Sequence, residues 1–167
     1  MIHYPNLSGS IAAFTGHRPD KLGLYNPDIA SRLNALAHEV LERTTPAAIV
    51  SGMALGWDQA VAVTAIRHGI PVIAVVPTTL QESRWPTNVK LRYLDLLKRC
   101  HEVVKVHPGV RGSRRMQVFN HWKVNHSDFL IALWNGTPGV TENCMRYAEA
   151  VRKPSFNVWS DWCNQTL

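Results

Sequence analysis

The sequence lacks most of the features that would place it in a specialised class. Its three cysteines, Cys100, Cys144 and Cys163, form no C-x-x-C pair, so neither a disulfide framework nor a thiolate metal cluster is expected. No apolar run approaches the roughly 20 residues of a membrane-spanning helix. The first ten residues carry Tyr4, Pro5 and Asn6 rather than a basic segment followed by an apolar one. No secretory signal is read there, and the expectation is a soluble, cytoplasmic protein without a membrane partner. Neither a G-x-S-x-G elbow nor a G-K-[ST] loop occurs, which argues against a hydrolase triad and a P-loop NTPase. His101 and His107, like His121 and His126, lack the i, i+4 spacing of a helical metal pair, so no metal is expected and no cofactor is implied.

Acidic residues are also in the minority, 12 against 18 Lys and Arg, for a formal charge of +6 with eight His besides. An anionic partner suits this balance. The basic residues form no run; their densest groups are Lys98 with Arg99, and Arg111 with Arg114 and Arg115. Most of that charge reads as a solvated face.

What is present is a core. With 46% hydrophobic and 18% charged residues in 167, the chain has the length and composition of one globular domain, residues 1–167. Apolar runs of strand length fall at 10–14, 47–50, 72–76, 103–106 and 129–134, with a possible sixth at 156–159. Helix-length segments lie between them at 28–44, 58–68, 88–99, 115–126 and 142–152. In the first of these, Ile29, Leu33, Leu36, Ala37, Val40 and Leu41 recur at three- and four-residue intervals, the stripe of a helix lying on a sheet. Pro27 and Asp28 open it, and Gly69 with Pro71 ends the second helix. Strand alternating with helix predicts a doubly wound, Rossmann-like α/β fold of three layers around a mainly parallel sheet.

Such folds bind ligands beyond the carboxyl ends of their strands. Four loops meet there. Thr15, Gly16, His17 and Arg18 follow the first strand, and Ser51, Gly52, Met53 and onward to Asp58 and Gln59 follow the second. The third is followed by Pro77, Thr78, Thr79, then Gln81, Glu82, Ser83, Arg84 and Trp85; the fifth leads from Trp134 into Asn135, Gly136, Thr137, Gly139 and Thr141. Glycine lets backbone amides approach an anion, hydroxyls add donors, and Arg18 or Arg84 matches a phosphate bidentately. Asp58, Gln59 and Glu82 suit ribose hydroxyls or a base edge, and Trp85 and Trp134 offer stacking faces. Simpler roles stand beside these: Asp58 as a helix cap, the glycines as turns, Met53 as core, Trp57 and Trp122 as packing.

These motifs also carry a family resemblance. Thr15-Gly16-His17-Arg18-Pro19 with Lys21, Leu22, Gly23 and Tyr25, Ser51-Gly52-Met53-Ala54-Leu55-Gly56 with Asp58-Gln59, Gln81 through Pro86, and Ala132-Leu133-Trp134-Asn135-Gly136 with Gly139 and Thr141 closely resemble the YpsA-like family of the SLOG superfamily. That superfamily includes the LOG phosphoribohydrolases and the Rossmann domain of DprA. The resemblance covers nearly the whole chain and implies a phosphate cradle at Gly136, Thr137, Gly139 and Thr141. Asn120 matches the Asn of the Arg-Asn pair of LOG-type enzymes, but the Arg position is Phe119, and the catalytic Glu position is Cys144. Lys123 and Asn125 replace a Met and an Asp common in YpsA-like proteins.

Glycosidic cleavage needs a carboxylate near the anomeric carbon. The missing carboxylate therefore favours binding over cleavage, and the resemblance implies a nucleotide-type, ADP-ribose-like ligand, held by a sensor or sequestering protein in bacterial or phage stress or antiviral signalling. Two alternatives stay open. One is a phosphoribohydrolase using Glu82 or Asp58; the other is DprA-like binding of single-stranded DNA through Lys98, Arg99, Arg111, Arg114 and Arg115. A homo-oligomer is expected, with Trp122, Trp159 and Trp162 as apolar contacts.

Overall fold

The computed structural model describes residues 3–23, 27–78, 81–107, 109 and 114–165. Tyr25, Thr79 and Arg111 lie outside the described residues. Strand and helix alternate throughout: β1 (Ile11–Gly16), α1 (Pro27–Thr44), β2 (Ala48–Ser51), α2 (Trp57–Arg67), β3 (Val72–Pro77), α3 (Thr87–Arg99), β4 (Glu102–Val106), α4 (Arg115–Asn125), β5 (Phe129–Leu133), α5 (Val140–Ala150), β6 (Ser155–Asn157) and α6 (Trp159–Asn164). A 3-10 turn, Pro19–Lys21, follows β1.

The six strands form one sheet in the order β4-β3-β2-β1-β5-β6, and every pairing is parallel. The expected mainly parallel sheet is thus wholly parallel. Residues alternate across it. Ala12, Phe14, Ile49, Val72, Ala74 and Ile131 pack with the buried faces of α1, α2, α3 and α6, whereas Ala13, Val50, Val75 and Leu130 pack with Phe119 and Val124 of α4 and Cys144 and Ala148 of α5. Burial on both faces explains why these strands are apolar runs rather than alternating ones. The anticipated stripe of α1 is the buried one: Leu36, Ala37 and Val40 are wholly inaccessible.

Chain direction across the sheet reverses at β1. From β1 the chain steps through β2 and β3 to β4 on one side; it then crosses by α4 to β5 on the other side of β1. β1 and β5 pair from Ala12↔Phe129 to Gly16↔Leu133, and their carboxyl ends mark the switch point where such sheets leave a crevice. Thr15 and Gly16 belong to β1 itself, which runs two residues past its expected end at residue 14. Among the described residues, no helix is long and apolar enough to cross a membrane.

Two glycines set how closely the layers meet. At Gly16 a Cβ would stand 2.4 Å from Cδ1 of the fully buried Trp57, so only glycine lets the start of α2 rest on the end of β1. Gly56 has φ 96°, and a Cβ there would stand 2.7 Å from the His17 carbonyl oxygen. The left-handed backbone and the close approach both require glycine.

Candidate functional site

A cleft of about 870 Å³ opens at the carboxyl edge of the sheet, within the size range of small-molecule sites. Its walls come from the ends of β1 and β3, the loops after β2, β3 and β5, the first turn of α5 and one face of α4. Of the residues singled out in the sequence, Thr15, Gly16, His17, Arg18, Gly52, Asp58, Ser83, Arg84, Asn120, Thr137, Gly139 and Thr141 line it.

The remaining candidates lie behind this lining. Ser51 is wholly buried; its hydroxyl donates to the Asp58 carbonyl at 3.0 Å and accepts from the Met53 amide at 3.1 Å. Met53 is equally buried, in the left-handed region at φ 60°, and its carbonyl accepts from Gln59 Nε2 at 3.0 Å. These bonds satisfy the backbone of a sharp turn and carry Gly52 to the cleft wall. Gln59 faces a second groove between α1, α2 and α3. Glu82 is 7% exposed and off the lining; its carbonyl accepts from the Trp85 amide at 3.0 Å. Trp85 packs edge-on against Tyr93 with ring centroids 5.2 Å apart. Trp134 turns its indole N–H to the Thr137 carbonyl at 2.7 Å.

Asn135 and Gly136 shape the loop after β5. Asn135 Oδ1 accepts from the Thr137 amide at 3.1 Å and the Thr137 hydroxyl at 2.6 Å, and lies 2.7 Å from His17 Nε2. Gly136 supplies the turn at φ 86°. Burial pushes the His17 imidazole below its ordinary pKa and the Lys21 charge acts the same way, against the bond to Asn135, so the ring is neutral at pH 7.

Residues that the sequence reading does not assign to the small-molecule site complete the cleft. Lys21 reaches across it, donating to Thr137 Oγ1 at 2.9 Å and the Pro138 carbonyl at 3.3 Å, and so ties the turn after β1 to the loop after β5. Gln81 donates to the Tyr93 hydroxyl at 2.9 Å. Arg115, Met116, Phe119 and Lys123 arrive from α4. Lys123 is 4% exposed, and its ammonium donates to the Phe14 carbonyl at 3.3 Å. Nearby, Asp58 is 5% exposed with one carboxylate oxygen, Oδ1, unpartnered. Burial raises the Asp58 carboxyl, while the Lys123 charge, the Ala54 amide and Arg18 pull it back. The cleft thus has a buried cation and carboxyl at its floor, with Arg18, Lys21, Arg84 and Arg115 above and Asp20 as the other acid on its lining.

Cys144, at the position of the LOG-type glutamate, is wholly buried. Burial raises its thiol, which is bonded to Thr15. A neutral thiol behind the wall supplies no carboxylate to a sugar. Asn120, the matched residue of the Arg-Asn pair, lines the cleft, and its side-chain amide donates to the Val140 carbonyl at 3.0 Å, fixing α4 against the start of α5.

Comparison with known proteins bears on this architecture. The family described as DNA recombination-mediator protein A matches residues 26–114. The chain belongs to that family. The recombination-mediator likeness extends to solved structures. DNA processing protein A from Helicobacter pylori, described for its single-stranded DNA binding mode, superposes with TM-score 0.61 at 20% identity over 90% of this chain. DprA from Streptococcus pneumoniae gives 0.63 at 19% over 96%. The chain spans 65% and 54% of those two proteins' lengths. The molybdenum cofactor carrier protein of Chlamydomonas reinhardtii shares the fold as well, with TM-score 0.57 at 15% identity, covering 89% of this chain and 76% of that one. Among curated proteins, the uncharacterized SPbeta prophage-derived protein YoqJ of Bacillus subtilis is 26% identical, covering 72% of this chain and 80% of its own.

Proposed function

We propose that this recombination-mediator-family domain binds a phosphorylated small molecule of the nucleotide class, ADP-ribose-like in size, in the cleft at the carboxyl edge of its sheet. The observation that carries this reading is the cleft's charge arrangement: Arg18, Lys21, Arg84, Arg115 and Lys123 against Asp20 and Asp58, in about 870 Å³. A cavity of that volume takes a nucleotide, and the excess of cations selects a polyanionic one. The start of α5, entered through Gly139 and Thr141, adds the positive end of a helix to the same wall. Catalysis is disfavoured by the same inventory. Glu82 is off the lining, and Asp58, the buried acid on it, is driven toward its neutral form by burial, against Lys123 and the Ala54 amide.

A second reading is favoured by the family itself. Binding of single-stranded DNA, the property described for the Helicobacter pylori relative, would use the same cations on a strand's phosphates. Lys98 and Arg99 sit at the end of α3, and Arg99 faces the groove between helices rather than the cleft. Strand binding by this chain would therefore rest on Arg18, Arg84 and Arg115.

The deciding experiment incubates the purified chain with a mixed pool of nucleoside phosphates, ADP-ribose and cyclic nucleotides, separates bound from free solute, and analyses both by mass spectrometry. An intact nucleotide retained by the wild type and lost in Arg18→Ala supports the proposal. Free base with ribose phosphate in the filtrate replaces it with a phosphoribohydrolase. Retention of nothing, together with oligodeoxynucleotide binding that falls steeply with salt, replaces it with the DNA reading.

A further inference from the structure

A cluster of different chemistry lies on the helical layer outside the cleft. His38 and Glu42 stand one turn apart on α1, and His68 caps the carboxyl end of α2. His38 Nδ1 is 2.7 Å from His68 Nε2, and His38 Nε2 is 3.3 Å from Glu42 Oε1. One ligand-type atom from each of the three falls within 4.8 Å of the other two, and all three residues are exposed. Their spacing is set by the core rather than by the side chains themselves, since Ala37, Leu41 and Ala65 beside them are buried in the packed layer of α1 and α2.

Two ring nitrogens 2.7 Å apart cannot both carry protons, so one presents a lone pair to the other. Glu42 decides which. By accepting from Nε2–H of His38 it leaves the lone pair on Nδ1, aimed at His68. A carboxylate holding the far nitrogen of an imidazole is the arrangement that orients histidine toward a metal. We propose that His38 Nδ1 and His68 Nε2 bind a divalent cation of the zinc class, with Glu42 positioning His38.

The change required is small. Zinc–nitrogen bonds of 2.0–2.1 Å at a tetrahedral angle separate the two nitrogens by about 3.3 Å, so the exposed rings open by roughly half an ångström. Protons balance: the Nε2 proton of His68 moves to its own Nδ1, both imidazoles stay neutral, and water fills the remaining positions. Nitrogen ligands exclude magnesium and calcium, which take oxygen. The carboxyl end of α2 also directs its negative pole toward the cation. Because the ligands come from two helices brought together only by folding, the bound ion would pin α1 to α2.

The test uses the full, untagged, chelator-treated chain, titrated with zinc chloride by calorimetry and melted with and without zinc. One equivalent should bind and raise Tm. His68→Ala and His38→Ala should each weaken that binding at least ~10-fold and abolish the rise in Tm, with Glu42→Gln intermediate. His121→Ala, on the far layer, should bind as the wild type does, and magnesium chloride should give no heat. Wild-type zinc affinity in His68→Ala, or no zinc binding by the wild type, overturns the proposal. Far-UV circular dichroism establishes that each variant is folded, and should His38→Ala unfold, the His68→Ala result decides alone.

Discussion

Lys123 and Asp58 oppose each other inside the floor of the cleft: burial drives the Asp58 carboxyl toward its neutral form, and the Lys123 ammonium is the strongest influence holding it charged. Both approach the same point, 3.2 Å for Asp58 Oδ2 and 3.7 Å for Lys123 Nζ from where a Gly52 side chain would begin, so removing either takes from the other its nearest buried opposite charge. Lys123→Met should therefore lower stability markedly. Adding Asp58→Asn should recover a large part of the loss, as read in a double-mutant cycle by urea unfolding. Equal and additive losses would mean the two are not coupled.

Gly16 and Trp57 give a steric prediction. With Trp57 Cδ1 only 2.4 Å from where a Gly16 side chain would begin, Gly16→Ala forces α2 off β1. Overpacking of this kind costs typically ~1–3 kcal/mol. The urea midpoint should fall without a change in the slope. A Gly69→Ala control would meet no neighbouring atom within 4 Å, and only its positive φ of 69° would be strained.

The imidazole of His17 should make stability depend on pH. Its pKa is lowered in the folded chain, so the unfolded chain binds more protons below the ordinary histidine value of about 6.5. The stability this group contributes is present above that value and is lost as pH falls through the lower, folded one. As pH falls below about 6.5, the unfolding free energy of the wild type should decline more steeply than that of His17→Gln. Parallel curves would remove His17 as a cause.

Lys21 bridges the turn after β1 and the loop after β5 through Thr137 and Pro138, at an exposed position. Lys21→Met should change global stability by less than about 1 kcal/mol. It should weaken retention of the nucleotide found in the pool experiment, because the cradle loses both a charge and the strap that sets its width. Unaltered retention would confine Lys21 to a structural role.

Much of this architecture was legible in the sequence, because strands buried on both faces and helices lying on them write simple periodicities. Helix α1 was expected at 28–44 and occupies Pro27–Thr44. By contrast, α6 spans only Trp159–Asn164, too short for any stripe to register. Trp162, expected as an apolar contact between copies, is buried in the chain's own core beneath Arg32, whose guanidinium stands 4.2 Å from its ring.

The position of the cleft was legible for a topological reason, but the direction of each side chain within a loop was not. Ser51, Gln59 and Glu82 have the polarity of ligand contacts, yet Ser51 and Gln59 are spent on the backbone of their own turn and Glu82 lies off the lining. Arg115 was read only as a DNA contact and Lys123 only as a departure from the family pattern, because both come from a helix flank rather than a strand end. His38 and Glu42 did carry the i, i+4 signal of a helical pair, but their partner His68 is thirty residues away and joins them only through the packing of α1 on α2.

The place of β1 at the centre of the sheet governs the order in which the molecule can be assembled. β1 precedes the other five strands of this sheet in the sequence, and one of its two neighbours, β5, begins only at Phe129. A chain emerging from the ribosome can join β1 to β2, β3 and β4 early, but that growing half-sheet keeps one flank of β1 unpaired until β5 has been made. The loop that carries Thr137, Gly139 and Thr141 arrives with that last partner. Nascent or truncated chains ending before β5 would thus expose an unpaired inner edge and lack the wall that the loop after β5 and the start of α5 give the cleft, so an intact cleft reports that synthesis has passed the reversal at β1.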